Sequence, residues 1–138
     1  MNYYQMKRKH EKELTDFEGL FYAFSDEQFK KGMEKIGLKE DDKGKIYSLG
    51  SGVCILKDKA KAFEDMFTRI SEENEKALKD KDFLLEALSY ELMNHEYCIT
   101  GDLEPTFEML GITIDDIKKL DFGMDILKKA QRSALNCA

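Results

Sequence analysis

The stretch that decides the fold is IYSLGSGVCIL, residues 46–56. Two runs rich in β-branched and aromatic residues, 46–49 and 53–56, flank the turn at residues 50–52. Such runs joined by a short glycine-rich turn are typical of a β-hairpin. A phosphate-cradling loop is the alternative, but no Lys-Ser or Lys-Thr pair follows the turn, and a strand rather than a helix comes after it. The stretch therefore predicts a hairpin.

Helices are predicted on both sides of the hairpin. An aromatic run at residues 20–24 predicts one further strand, and apolar residues spaced by three and four predict helices elsewhere. Because strands and helices are segregated along the chain, we expect an α+β fold. The prediction is a small three-stranded antiparallel sheet with a helical C-terminal half, in a single domain spanning residues 1–138.

Local capping signals place several helix starts. Ser25 followed by Gln28 forms a capping box, in which the hydroxyl accepts an amide while the glutamine reaches back to the cap. Asp102 is the expected N-cap of a helix that ends at residue 111. Thr113 caps the next turn, and Asp116 three residues later completes an acidic version of the same box.

Composition limits the kinds of partner and compartment. The chain has 22 basic and 28 acidic residues and a net charge of −6, which disfavours a general nucleic-acid binder and favours either solubility or attraction to a basic partner. The three cysteines, Cys54, Cys98 and Cys137, contain no CxxC pair, so we expect no disulfide framework. We see no secretory signal and no apolar run long enough to span a membrane, and we expect a cytoplasmic protein.

A polar run closes the helix predicted before residue 97. Its side chains can bond the turning backbone, and Gly101 can adopt a positive φ at little cost before Asp102 caps the next helix. His95 lies near the helix end, where its ring can satisfy a terminal carbonyl. We expect Asn94, His95, Thr100, Gly101 and Asp102 to form a structural joint that fixes the C-terminal helices.

The enzymatic alternative uses the same region. Glu91 and His95 are four residues apart on one helical side, and Glu96 and Asp102 are close in sequence, so together they could hold a hydrolytic metal ion. The HExxH zinc pattern is absent, and a Cys98 nucleophile beside His95 lacks an orienting third group. The sequence therefore favours a non-enzymatic protein with no cofactor and no bound metal.

Acidic clusters are the candidate binding surface. The clusters lie at residues 40–42, 72–75 and 115–116, and each can be a solvated face or the N-terminal turn of a helix, where negative charge suits the macrodipole. Lysines are interspersed nearly everywhere, which weakens the case for a binding surface. The functional alternative is a surface that mimics phosphates and enters a basic groove of a partner. The aromatic run at residues 21–24 lacks the basic residues that an RNA-binding sheet needs, so core packing is expected there. The candidate binding residues are Glu40, Asp41, Asp42, Glu72, Glu73, Asp115 and Asp116.

Four segments carry a resemblance to known proteins. They are FYAFSDEQF at residues 21–29, YELMNHEY at 90–97, TGD at 100–102 and LGI at 110–112. With these segments the chain resembles small, acidic, functionally uncharacterised proteins of phages and mobile elements of gut bacteria. The resemblance implies a genomic setting in which such proteins bind host or element proteins, and some block CRISPR nucleases.

The function that follows is an expectation. We expect a non-enzymatic cytoplasmic binding protein, an inhibitor of a host defence complex of the anti-CRISPR type, whose acidic faces oppose the basic channels of a nucleic-acid-handling complex. No direct general nucleic-acid binding and no membrane binding is expected. The alternative is a metal-dependent hydrolase built on Glu91, His95, Glu96 and Asp102.

Overall fold

The computed structural model describes residues 1–136, without the side chain of Glu40. It confirms the predicted α+β fold, with three antiparallel strands and a helical C-terminal half. The elements are α1 Tyr3–Thr15, β1 Leu20–Tyr22, α2 Asp26–Lys35, β2 Ile46–Gly50, β3 Val53–Leu56, α3 Ala60–Ala77, α4 Lys81–Asn94, α5 Tyr97–Thr100, α6 Glu104–Leu110, α7 Ile114–Lys118 and α8 Gly123–Leu135, with 3₁₀ segments at Glu40–Lys45 and Lys57–Lys59.

The chain divides into two compact units. The sheet unit is His10–Arg69, and the helical unit combines Met1–Lys9 with the chain from Ile70 onward. The division falls within α1 and α3. The prediction that residues 1–138 form a single domain stays a prediction.

The sheet unit is built on the predicted hairpin. The strand order is β1-β3-β2, and both pairings are antiparallel. Phe21 of β1 pairs with Cys54 of β3, and both side chains are buried with Met33 of α2. Gly32 permits this packing, since a Cβ there would lie 2.1 Å from Cδ2 of Phe21. The sheet and α2 therefore share a small apolar core.

The first strand is shorter than the sequence predicts. It ends at Tyr22 rather than at residue 24. The amide of Phe24 donates to Oε1 of Gln28 at 2.7 Å, so this part of the chain already belongs to the N-terminal cap of α2. Ser25 does accept from the amide of Gln28, as predicted, but Gln28 reaches back to Phe24 instead of Ser25.

The helical unit is organised around α4. Leu84, Leu88 and Leu92 are fully buried along it, so the apolar spacing that predicts a helix here corresponds to a buried apolar stripe. α8 packs along α4 and contributes Leu127 and Ala130 to the same core. Because α4 is covered on most sides, a charged residue within it must find its partners inside the unit.

The structure also bears on membrane-spanning segments and on the cysteines. Among the residues described, no helix is both long and apolar enough to cross a bilayer. Cys54 is buried, and burial raises the pKa of its thiol. Cys98 is exposed, and Cys137 lies outside the described residues.

Candidate functional sites in the helical unit

Glu91 is a buried carboxylate in the last full turn of α4. Its side chain is 0% exposed. The hydroxyl of Tyr3 donates to Oε1 at 2.5 Å, and Nζ of Lys7 lies 3.1 Å from the same oxygen. Lys7 also lies over the rings of Tyr3 and Tyr90, 5.9 and 5.6 Å from their centroids. The first turns of α1 are therefore joined to α4 by a hydrogen-bonded ion pair in a largely apolar setting.

His95 completes this cluster on the other carboxylate oxygen. Its Nε2 lies 3.2 Å from Oε2 of Glu91, and the imidazole is 24% exposed. Neither atom makes a hydrogen bond, so the approach is electrostatic when the ring is protonated. We expected the ring to satisfy a terminal carbonyl of the helix. The structure instead turns it toward Glu91, because i and i+4 lie on one helical face. We define Tyr3, Lys7, Glu91 and His95 as the Glu91 cluster.

The four residues of the proposed metal site are not gathered together. Glu96 is exposed ahead of α5, and the carboxylate of Asp102 accepts the amide of Glu104 at 3.0 Å. Within residues 1–136, no three His, Cys, Asp or Glu side chains form a group able to hold a metal ion. Glu91 and His95 alone are adjacent, which is fewer than the three protein ligands of a hydrolytic zinc site.

The joint after α4 contains one helical turn that the sequence did not predict. α5 lies between two left-handed residues, Glu96 with φ 58° and Gly101 with φ 68°. Oγ1 of Thr100 accepts the amide of Asp102 at 3.1 Å, as the joint requires. No sequence signal predicts α5, because a left-handed backbone is uncommon for a glutamate.

Asp102 supports α6 from the position before its N-cap, because the helix begins one residue later than predicted. The N-cap of α6 is Leu103, not Asp102. Asp102 still accepts the amide of Glu104, so it satisfies a donor of the first helical turn. Asn94 is the exposed last residue of α4, and His95 is its C-cap. The structure thus corrects the predicted roles of Asp102 and His95, and that this joint fixes the C-terminal helices stays a prediction.

Three of the seven candidate acidic residues have partners within their own unit. Asp42 accepts the amide of Lys39, and this hydrogen bond lowers the pKa of its carboxyl. Asp116 accepts the amide of Thr113 in the predicted capping box, which lowers its pKa in the same way. The carboxylate of Glu73 lies 3.3 Å from Nζ of a lysine of the same unit. These three side chains hold the fold as well as carrying charge.

The other candidate acidic residues are exposed where the structure describes them. Asp41 lies in the sheet unit, and Glu72 and Asp115 lie in the helical unit. Of Glu40 only the backbone is described. In the sequence the acidic residues form three separate clusters. In the structure, residues of two of these clusters line one groove.

That groove lies in the helical unit between α3, the start of α4 and the α6–α7 connection. It has a volume of about 550 Å³ and opens to solvent. Its floor includes the buried side chains of Leu78, Leu84 and Ile117. Clefts of this size with an apolar floor and polar groups around it are typical of binding sites.

Three carboxylates and two cations form the charged rim of this groove. Glu75 of the 72–75 cluster and Asp116 of the 115–116 cluster both line it, together with Glu108. Two cations, Lys79 and Lys119, also line it. We call this feature the acid-rimmed groove, with Glu75, Glu108 and Asp116 as its acidic rim. The sequence could not identify it, since its walls come from segments up to about 50 residues apart.

These features define the chain as a small α+β protein with a buried carboxylate cluster and an open, acid-rimmed groove. Comparison with known proteins places it further. The chain belongs to the family of unknown function DUF7659, whose model matches residues 2–133. No curated protein and no solved structure matches the chain.

Proposed function

We propose that this chain is a non-enzymatic binding protein whose partner docks in the acid-rimmed groove. The observation that carries the proposal is the groove itself, where an apolar floor is bordered by the carboxylates of Glu75, Glu108 and Asp116. An open groove with apolar depth and a charged rim suits a segment of another protein. The rim charges favour a partner segment that carries apolar residues flanked by lysine or arginine.

The setting of this binding activity rests on the sequence resemblance. We infer a cytoplasmic protein of a phage or mobile element that inhibits a host defence complex, such as a CRISPR nuclease. Such complexes hold nucleic acid in basic channels, and a net charge of −6 favours association with basic surfaces. The partner is thus a host or element protein rather than free nucleic acid.

A tagged pull-down from a host lysate, joined to an interference assay with co-expressed CRISPR nucleases, tests this proposal. We expect a recovered partner and reduced interference, both weakened by rising salt because the rim is charged. The Glu75→Lys/Glu108→Lys variant should lose the partner. The control is Glu11→Lys/Glu64→Lys, which changes the net charge equally at exposed positions of the sheet unit. Equal loss in both variants, or no partner and no effect on interference, contradicts the proposal.

The alternative proposal is a metal-dependent hydrolase centred on Glu91 and His95. It is supported by the approach of His95 Nε2 to Glu91 Oε2 at 3.2 Å, where both atoms lack hydrogen bonds. The site would need a further ligand beyond these two. Metal content of the purified chain, followed by His95→Ala, decides it. Stoichiometric metal that His95→Ala removes supports the hydrolase, whereas a metal-free chain with a variant that is only less stable refutes it.

A further inference from the structure

The outer edge of β1 in the sheet unit carries unpaired backbone groups. β1 pairs with β3 on one side, and no other strand within residues 1–136 pairs with it on the other. The amide of Leu56 donates to the carbonyl of Gly19 at 2.9 Å, and the amide of Ala23 donates to the carbonyl of Gly52 at 2.7 Å. Because backbone groups alternate in direction along a strand, the N–H and C=O of Leu20 and Tyr22 point to the outer edge.

A groove of about 630 Å³ runs along this edge. Leu20, Phe21 and Tyr22 all line it. Consecutive strand residues point to opposite faces of a sheet, so a space that all three border lies beside the strand rather than over one face. The groove has room for a further extended segment next to β1.

Two helices form the walls of this space. Leu14 and Thr15 of α1, together with Phe17, line one side, and α2 contributes Gln28 and Gly32. Segments that enclose a free strand edge leave an incoming chain its backbone hydrogen bonds on one side and side-chain pockets around them.

The charges and exposed rings of the groove indicate what would fill it. Its charged lining residues are Lys31 and Lys35, and no Asp or Glu lines it. Lys31 also forms an exposed ion pair, with its Nζ 3.3 Å from Oε1 of Glu27. Tyr22 is 54% exposed and Phe24 is 76% exposed, which leaves apolar surface at the open end. Cations beside exposed rings complement a segment that carries both carboxylates and apolar side chains.

We propose that the outer edge of β1 binds an extended, acidic segment of a partner protein as a fourth strand. The segment forms backbone hydrogen bonds with Leu20 and Tyr22, places alternate apolar side chains against Phe17 and Phe24, and sets a carboxylate near Lys35. Pairing with a second copy of the chain is disfavoured, because a two-fold contact brings the same lysines of both copies together. This site is separate from the acid-rimmed groove and selects the opposite charge.

Selection of random dodecapeptides on the full chain tests the proposal directly. We expect enriched peptides to carry Asp or Glu and alternating apolar residues, and to shift the backbone amide resonances of Leu20 and Tyr22. Replacing each peptide amide in turn by its N-methyl form should weaken binding at every second position, since alternate amides face β1. A helical ligand gives no such two-residue pattern.

Variants of the chain then separate the contributions. Tyr22→Pro removes an outward N–H that the sheet does not use, and it should weaken peptide binding at least about tenfold beyond Tyr22→Ala. Lys35→Glu should weaken it about three- to tenfold, while Lys61→Glu, on α3 and outside the groove, should not. Melting temperatures establish that each variant is folded.

Four results overturn the proposal. The first is that no peptide is enriched on the wild-type chain relative to Tyr22→Pro, and the second is that the enriched peptides are basic. The third is that the N-methyl effects show no two-residue pattern. The fourth is that the wild-type chain forms a dimer that Tyr22→Pro abolishes. The last result would assign the edge to a second copy of the chain. Because the selection uses peptides and not a lysate, its failure is distinguishable from failure of the groove proposal.

Discussion

Replacing Glu91 by glutamine removes a buried charge while keeping the volume and one acceptor oxygen. The wild-type carboxylate is 0% exposed and accepts from Tyr3 and Lys7. The amide oxygen of glutamine can still accept from the hydroxyl of Tyr3. What is lost is the charge that holds the ammonium of Lys7, whose side chain is 25% exposed.

The magnitude follows from the kinds of bond removed. Hydrogen bonds to charged groups contribute about 1.5–3 kcal/mol, so Glu91→Gln should lower the free energy of unfolding by about 2 kcal/mol. For a chain of this length that corresponds to a melting temperature lower by about 6–10 °C. Glu91→Ala also leaves an empty volume, and its loss should reach about 3–5 kcal/mol.

A double-mutant cycle with Lys7→Met measures the pair itself. Urea unfolding of the wild type, both single variants and the double variant gives the coupling energy, which we expect at about 1–2 kcal/mol. The matched control is Glu72→Gln, an exposed glutamate of α3 in the same unit. A Glu91→Gln variant within about 0.5 kcal/mol of wild type, the usual range for surface changes, would refute the reasoning.

Three further predictions concern the fold. Gly101→Val should lower the melting temperature, because a left-handed backbone strains valine by about 1–2 kcal/mol. Asp102→Ala should lower it through loss of a capping hydrogen bond of about 1 kcal/mol. Partner binding should survive in both variants below their melting temperatures, and lost binding at unchanged stability would instead make the joint a contact surface. Gly32→Ala should cost about 1–3 kcal/mol in thermal unfolding, because its Cβ would meet Phe21, and an unchanged melting temperature would show that the ring moves aside easily. The capping hydrogen bond with Thr113 lowers the pKa of Asp116, so its contribution to the free energy of unfolding is full above the ordinary aspartate pKa and is lost as pH falls through the lowered folded value. Asp116→Asn should therefore reduce the loss of stability at acid pH in a profile of stability against pH. An unchanged acid side of that profile would exclude this linkage.

Local patterns in the sequence predict the local parts of this fold. The hairpin of β2 and β3, the cap at Thr113 and the apolar stripe of α4 depend on residues within a few positions of one another, and all three are confirmed. Where a neighbour competes for a backbone group, the prediction shifts. Gln28 takes the amide of Phe24, so β1 ends early.

The candidate sites are harder to predict from the sequence than the local elements of the fold. In the Glu91 cluster, Tyr3 lies 88 positions and Lys7 84 positions before Glu91 in the chain. No local pattern in the sequence pairs residues so far apart. The placement of Glu91 and His95 together follows from helical geometry and was predictable. The acid-rimmed groove combines α3 with the α6–α7 connection, so two clusters that look independent in sequence line one surface.

The discontinuity of the helical unit in sequence has a consequence for synthesis on the ribosome. The sheet unit is one continuous segment, His10–Arg69, and its strands need nothing made later. Residues 1–9 leave the ribosome before the sheet unit, yet Tyr3 and Lys7 have no carboxylate to join until α4 has left the exit tunnel. Because units of a growing chain fold as soon as their own segments are available, we expect the sheet unit to form first. Residues 1–9 would then take their places after the sheet unit, although they are made before it.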